Sequence, residues 1–131
     1  MYEKEKELFA EMVDIIAKLR GPKGCLWDRE QTLKTLAPNI LEEAREVLEA
    51  VESKDMNNLC EELGDLLMVI LIQIEIASEK GLFTCSDVLA GAVKKFIRRH
   101  PHVFADIKVN TPEEALAVWK KIKREEKEVN N

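Results

Sequence analysis

Aromatic residues are scarce in this chain of 131 residues, which contains one Tyr, four Phe and two Trp. Aliphatic side chains must therefore fill most of any core. Long hydrophobic runs are also missing, because the longest one, Leu66 to Ile72, ends at Gln73. A bilayer-spanning helix needs about 20 apolar residues, so this run predicts a deeply buried helix and not a membrane span.

Cysteine and histidine are also rare, with three and two residues respectively. The three cysteines, Cys25, Cys60 and Cys85, have no metal-like spacing, and their odd number argues against a disulfide framework. The first residues lack the apolar core of a signal peptide. We therefore expect reduced thiols in a cytoplasmic protein.

Basic charge is not in excess, since 20 Lys and Arg residues stand against 25 Asp and Glu residues, a net charge of −5. This balance argues against broad binding to nucleic acid or to anionic lipid, and it leaves room for one local basic cluster. With 46% hydrophobic and 34% charged residues, the composition is that of a globular protein. The length predicts a single domain over residues 1–131.

What the chain does have is helical periodicity. Apolar residues recur at helical spacing, and strand signals are nearly absent. Asp55 and Ser86 are candidate N-caps, Gly81 a candidate terminator, and Thr111, Pro112 and Glu114 match an N-cap, a first-turn proline and a capping-box glutamate. We predict an all-α helical bundle of about five helices, at residues 3–20, from 35 or 38 to 53, 55–80, 86–99 and 111–127.

Two acidic pairs stand out within these helices: Glu43 with Glu46, and Glu62 with Asp65. Members of a pair three residues apart leave a helix on the same face. Carboxylates converging from two helices repel one another unless a cation lies between them. Oxygen ligands alone suit Mg²⁺ or Mn²⁺, and the segment has no His or Cys for a zinc or di-iron site.

The acidic pairs also have a simpler explanation. In the second predicted helix, Glu46 falls opposite an apolar face and Glu43 flanks it, as on an ordinary solvated surface. That apolar face contains Leu41, Ala44, Leu48 and Val51.

The third predicted helix argues against a solvated surface. Its main apolar face contains Leu59, Leu63, Leu66, Leu67, Ile70 and Ile74. The side that carries Glu62 and Asp65 continues as Val69, Ile72 and Ile76 and is therefore expected to be covered. The residues alone leave a metal site and a partly buried ion-pair network both open.

A basic cluster closes the fourth predicted helix, where Lys95 and Arg99 share one face. Cations at a helix C-terminus interact favourably with its dipole, but beside a metal site they would also neutralise a polyphosphate. Trp119 lies in a cationic stretch and is either packing or a stacking platform for a base. We expect the turn at residues 100–104 to be structural.

Four segments match a family pattern in order and at suitable separation: GCLWDREQT (24–32), LEEARE (41–46), EELGDLL (61–67) and KFIRRHPHVF (95–104). With them the chain resembles the MazG family of nucleoside triphosphate pyrophosphohydrolases over residues of about 19–127. The resemblance implies an all-α fold that dimerises through its helices. It also implies Mg²⁺-dependent cleavage between the α- and β-phosphates, with Mn²⁺ as a substitute, which yields a nucleoside monophosphate and pyrophosphate.

The resemblance further implies roles for particular residues. The metal ligands would be Glu43, Glu46, Glu62 and Asp65. Glu42 and Glu61 would flank them, either as groups that support the ligands or as candidate bases for water. Lys95 and Arg99 would meet phosphate oxygens. The full set assigned to the nucleotide is Asn39, Glu42, Glu61, Lys95, Arg99 and Trp119.

The chain departs from the family pattern at Leu26, where Pro is usual, and at Gln73, where His is common. Neither change removes a ligand. Some members carry two such domains, so one domain here makes a homodimer or homotetramer the expectation. Two alternatives remain: a non-catalytic helical dimer that binds nucleotide or a protein partner, and a narrow dUTP or dCTP pyrophosphatase. The resemblance suggests that the function is cleaning the nucleotide pool.

Overall fold

The structure is a computed structural model that describes the backbone of residues 1–130. Within this range it contains seven α-helices and no strand, which confirms the predicted all-α fold. The helices are α1 (Glu3–Leu19), α2 (Leu26–Glu30), α3 (Leu33–Ser53), α4 (Met56–Glu79), α5 (Cys85–Arg99), α6 (Pro101–Phe104) and α7 (Pro112–Asn130). Two short helices, α2 and α6, form where we predicted a loop and a turn.

The chain forms two compact units, one from Met1 to Cys85 and the other from Ser86 onward. In the first unit, α3 packs along α4, and α1 also packs against α4. The second unit contains α6, α7 and almost all of α5. The prediction of a single domain over residues 1–131 stays a prediction.

Helix α3 begins earlier than predicted, because a reciprocal cap forms upstream of Pro38. Thr35 N donates to Thr32 Oγ1 at 3.1 Å, and Thr32 N donates to Thr35 Oγ1 at 2.8 Å. Both N-terminal amides are thereby satisfied before Pro38 is reached. The helix begins two residues before Thr35, near one of the two predicted starts. The alternative start near Pro38 was wrong, since proline is tolerated here inside the helix and does not open it.

Other helix boundaries agree more closely with the sequence. Asp55 caps α4 by accepting from Asn58 N at 3.1 Å, and Gly81, with φ of 69°, follows its end. Helix α5 begins at Cys85, so Ser86 is its second residue and the predicted Ser86 cap was wrong. At α7, Thr111 Oγ1 accepts from Glu114 N as predicted, but the Glu114 carboxylate accepts from Asn110 N.

The side of α3 that faces inward differs from the predicted one. Leu36 and Ala50 are buried, and Glu43 and Val47 are half-buried between them. Leu41 is 67% exposed, and Leu48, Val51 and Ala44 are exposed as well. The prediction was wrong because both sides of α3 carry apolar residues, and periodicity does not reveal which side a neighbouring helix covers.

Helix α4 likewise has one covered side and one exposed side. Ile76 is buried and Val69 half-buried on the side that carries Glu62, so the expected cover over that side is present. Leu63, Leu67 and Ile70, which belong to the predicted main apolar face, are exposed. We call these three residues the α4 outer face.

The segment between α1 and α3 is fixed by Arg20, whose side chain is 9% exposed. Its guanidinium pairs with Glu79 at 2.8 Å and donates to the carbonyl oxygens of Asp28 and Gln31. Gly24 lets the backbone pass close to α1, because an added Cβ would collide with the Leu19 carbonyl oxygen. This anchor joins the first matched segment to the end of α4.

No helix in the described part of the chain has both the length and the apolar character that crossing a membrane requires.

Candidate functional site

Four carboxylates meet where α3 packs on α4. Glu43, Glu62 and Asp65 each offer an oxygen, and these three oxygens lie within 4.8 Å of one another. Glu46 is within side-chain hydrogen-bond reach of both Glu43 and Glu62. The structure therefore brings together the four residues predicted as metal ligands, and we call them the acidic cluster.

The acidic cluster is partly removed from water. Glu43, Glu46 and Glu62 are half-buried, whereas Asp65 is exposed. Glu43 Oε2 and Glu62 Oε2 are buried and have no hydrogen-bond partner among the described residues. Buried carboxylate oxygens without a partner are unfavourable unless a cation or a donor satisfies them. A hard divalent cation fits this set of oxygen ligands.

The crowding of negative charge changes the pKa values of the cluster. Hydrogen bonding with the Glu46 carboxyl, followed by desolvation and by the charges of Glu46, Asp65 and Glu43, raises the pKa of Glu62 to about 7. The pKa of Glu43 is also raised, first by desolvation and then by Glu46. With no cation among them, these carboxylates favour sharing protons.

The other acidic and amide candidates lie around the cluster on the same two helices. Glu42 is exposed, and its charge contributes to the raised pKa of Glu43. Asn39 is half-buried one turn before Glu43, and Glu61 is exposed beside Glu62. Their assignments to the nucleotide stay predictions.

The basic candidates lie in the second unit. Arg99 Nη2 pairs with Glu126 Oε2 at 2.8 Å, and its guanidinium lies 5.4 Å from the centre of the Trp119 ring. Lys123 Nζ lies 4.9 Å from the same ring. A cavity of about 650 Å³ opens beside them, and we call it the cationic cavity; its walls include Lys95, Arg98, Arg99, Lys123, Glu126 and Lys127.

Sequence reasoning missed Glu126. It lies in a run of charged residues in which nothing distinguishes it from Glu125. The available signal was its spacing: Glu126 follows Trp119 by seven residues, so the two share a face of α7. The turn at residues 100–104 becomes helix α6, where His100 Nδ1 lies 2.6 Å from the Phe96 carbonyl oxygen.

Comparison with known proteins identifies the family. Residues 31–104, more than half of the chain, match the model of the MazG nucleotide pyrophosphohydrolase domain. The chain belongs to the MazG family. A crystal structure of a mazG-related protein from Thermotoga maritima aligns with a TM-score of 0.74 and 30% identity, over 88% of this chain and 98% of that one.

Curated relatives of the MazG chain are longer. It is 45% identical to the nucleoside triphosphate pyrophosphohydrolase/pyrophosphatase MazG of Thermotoga maritima, over 92% of this chain and 46% of that protein. The nucleoside triphosphate pyrophosphohydrolase of Escherichia coli K12 is also 45% identical, over 88% of this chain and 44% of that protein. The uncharacterized protein YabN of Bacillus subtilis is 44% identical, over 91% of this chain and 24% of that protein. The chain thus spans about half or less of the length of these relatives.

Proposed function

We propose that this MazG chain hydrolyses nucleoside triphosphates between the α- and β-phosphates, releasing a nucleoside monophosphate and pyrophosphate. The observation that carries the proposal is the acidic cluster, in which two buried carboxylate oxygens have no partner within the described part of the chain. The names of the two pyrophosphohydrolase relatives support the same reaction.

The acidic cluster is suited to Mg²⁺, with Mn²⁺ as a substitute, held by Glu43, Glu46, Glu62 and Asp65. Such a cation, when bound, supplies positive charge to the triphosphate and makes a water molecule more acidic. The raised pKa of Glu62 would return below 7 beside a cation, because positive charge favours the ionised carboxylate. Loading with the cation should therefore release protons.

The remaining chemistry falls to residues of the chain itself. Glu42 is exposed next to the cluster and would accept a proton from the attacking water. Lys95 and Arg99 would supply positive charge to the leaving pyrophosphate. Asn39 and Glu61 would contact the nucleotide from α3 and α4, and Trp119 would lie near its base.

The deciding experiment measures pyrophosphate release from a panel of canonical and modified triphosphates, with Mg²⁺ and with EDTA. We expect turnover that requires Mg²⁺ and yields monophosphate. A single strongly preferred substrate, dUTP or dCTP, would favour the narrow pyrophosphatase, whereas preference for modified nucleotides would support cleaning of the nucleotide pool. No turnover on any substrate would contradict the proposal.

Glu62→Gln tests the cluster directly. This substitution keeps the shape of the side chain but removes a charged ligand, so turnover should fall by about a hundredfold or more. Glu49→Gln is the matched control, because Glu49 is an exposed glutamate on α3 outside the cluster. Full activity of Glu62→Gln would rule out the assignment.

The α4 outer face favours a second, compatible proposal, a homo-oligomer. Leu63, Leu67 and Ile70 recur at helical spacing and are 38–50% exposed. An apolar stripe of this kind is typical of a surface that another copy covers. If the panel shows no turnover, a non-catalytic helical dimer becomes the leading function. A cytoplasmic location is part of the same proposal.

A further inference from the structure

Glu126 forms ion pairs with two arginine side chains. Its Oε2 accepts from Arg99 Nη2 at 2.8 Å and from Arg99 Nε at 3.2 Å, and its Oε1 accepts from Arg98 Nε at 2.7 Å. These bonds join α5 to α7 within the second unit. Glu126 and Arg99 are only 19% and 12% exposed, whereas Arg98 is 52% exposed.

Arg99 is thereby held by two residues of α7. Its Nη2 and Nε both donate to Glu126 Oε2, at 2.8 and 3.2 Å, and its Nε also lies 3.4 Å from Glu126 Oε1. Contacts from two donors of a guanidinium to one carboxylate restrict its orientation as well as its position. The centre of the Trp119 ring lies 5.4 Å from the central carbon of the same guanidinium, which is within cation–π distance.

We propose that Glu126 is a positioning residue that orients Arg99 against Trp119 at the wall of the cationic cavity, so that the cavity accepts the phosphate chain of the substrate. This inference rests on the proposed function, because it concerns how Arg99, which that proposal assigns to phosphate, is held. The lining cations leave the cavity a net positive charge even with Glu126 present. Arg99 keeps a charged edge for an anion, since one carboxylate satisfies only part of its five donors.

The Glu126 carboxylate is ionised at neutral pH, so its ion pairs with Arg98 and Arg99 do not depend on pH in that range. Hydrogen bonds from Arg99, and then from Arg98, lower the pKa of Glu126 to about 2. Glu126 therefore stays ionised at neutral pH, and any change on substitution reflects the lost contact and not a shifted protonation state.

The test uses Glu126→Gln in a Trp27→Phe background, which leaves Trp119 as the sole tryptophan. Binding of inorganic tripolyphosphate is measured by calorimetry, and acrylamide quenching of Trp119 emission is measured without ligand. We expect affinity to fall on the order of tenfold to a hundredfold, because the guanidinium loses its fixed orientation. Quenching should increase as Arg99 moves off the ring.

Glu128→Gln is the matched control, since Glu128 is exposed on α7 and is not among the residues that line the cavity. It removes the same charge without touching Arg99, so its affinity should stay within about twofold of wild type. If Glu126→Gln binds as tightly as Glu128→Gln, or more tightly than wild type, the proposal is wrong. In the second case Glu126 competes with the anion.

Two further measurements separate the possible failures. Glu126→Asp keeps the charge on a shorter side chain and should bind tripolyphosphate with an affinity between those of wild type and Glu126→Gln. Wild-type affinity in Glu126→Asp would contradict the proposal, even if Glu126→Gln does not fold. With an active enzyme, Glu126→Gln should raise the KM for a triphosphate more than it lowers kcat. Since tripolyphosphate binding needs no turnover, a failed hydrolase proposal would leave the Glu126 result readable.

Discussion

Glu62 combines partial burial with three neighbouring carboxyl groups, and all of these influences disfavour its charged form. The folded protein without metal therefore holds a proton at pH values where the unfolded chain has lost it. The pKa of Glu43 is raised as well. The cluster is thus a region in which charge repulsion lowers the stability of the metal-free protein.

This arrangement predicts a pH dependence of stability. Glu62 titrates near 4.5 when unfolded and near 7 when folded, so between these values the folded state binds more protons. The free energy of unfolding should then fall as pH rises from about 4.5 to 7 and level off above it. Denaturant titrations of metal-free protein at several pH values measure the slope.

Two variants show whether the acidic cluster causes this pH dependence. Glu62→Gln should flatten the slope, and Glu49→Gln should keep it. Mg²⁺ should stabilise the protein more at pH 8 than at pH 5, because it prefers the ionised carboxylates. Equal slopes in wild type and Glu62→Gln would show that the cluster does not titrate as described.

At the scale of the elements, Gly24 decides how the α1–α3 connection is built. Cys25 N donates to the Leu19 carbonyl oxygen at 2.8 Å, and a Cβ on Gly24 would collide with that same oxygen. Gly24→Ala should destabilise the protein by about 1–3 kcal/mol, since the backbone must shift away from α1. Thermal or denaturant unfolding measures the loss.

Gly91→Ala is the matched substitution, because a Cβ there meets nothing within 4 Å and the residue lies inside α5. Alanine is the better helix former, so this variant should be unchanged or up to about 1 kcal/mol more stable. Equal effects at the two glycines would contradict the close approach at Gly24.

At the scale of the whole molecule, the α4 outer face predicts self-association. Leu67→Glu places a charge in the centre of that face, so the protein should shift from an oligomer to a monomer in analytical ultracentrifugation. Leu82→Glu is the control, since Leu82 is exposed beyond the end of α4. A wild-type protein that is monomeric at micromolar concentration would contradict the prediction.

Much of the fold could be predicted from local rules. Apolar spacing located the five long helices, and Asp55 and Gly81 marked the limits of α4, because capping and left-handed conformations depend on a few neighbouring residues. Helices α2 and α6 were missed, since each is a single turn whose signal is lost among loop residues. The start of α3 was predicted too late because proline is typical of the first turn of a helix, whereas Pro38 lies inside α3.

The sequence by itself determined the helical class of this MazG protein and the pairing of Glu43 with Glu46 and of Glu62 with Asp65. Spacing of three residues is enough to place two side chains on one face. Only the tertiary structure decided that α3 turns Glu43 inward and Leu41 outward, because both sides of that helix are apolar enough to be covered. Tertiary packing alone also joined Glu126 to Arg99, which are 27 positions apart in the chain.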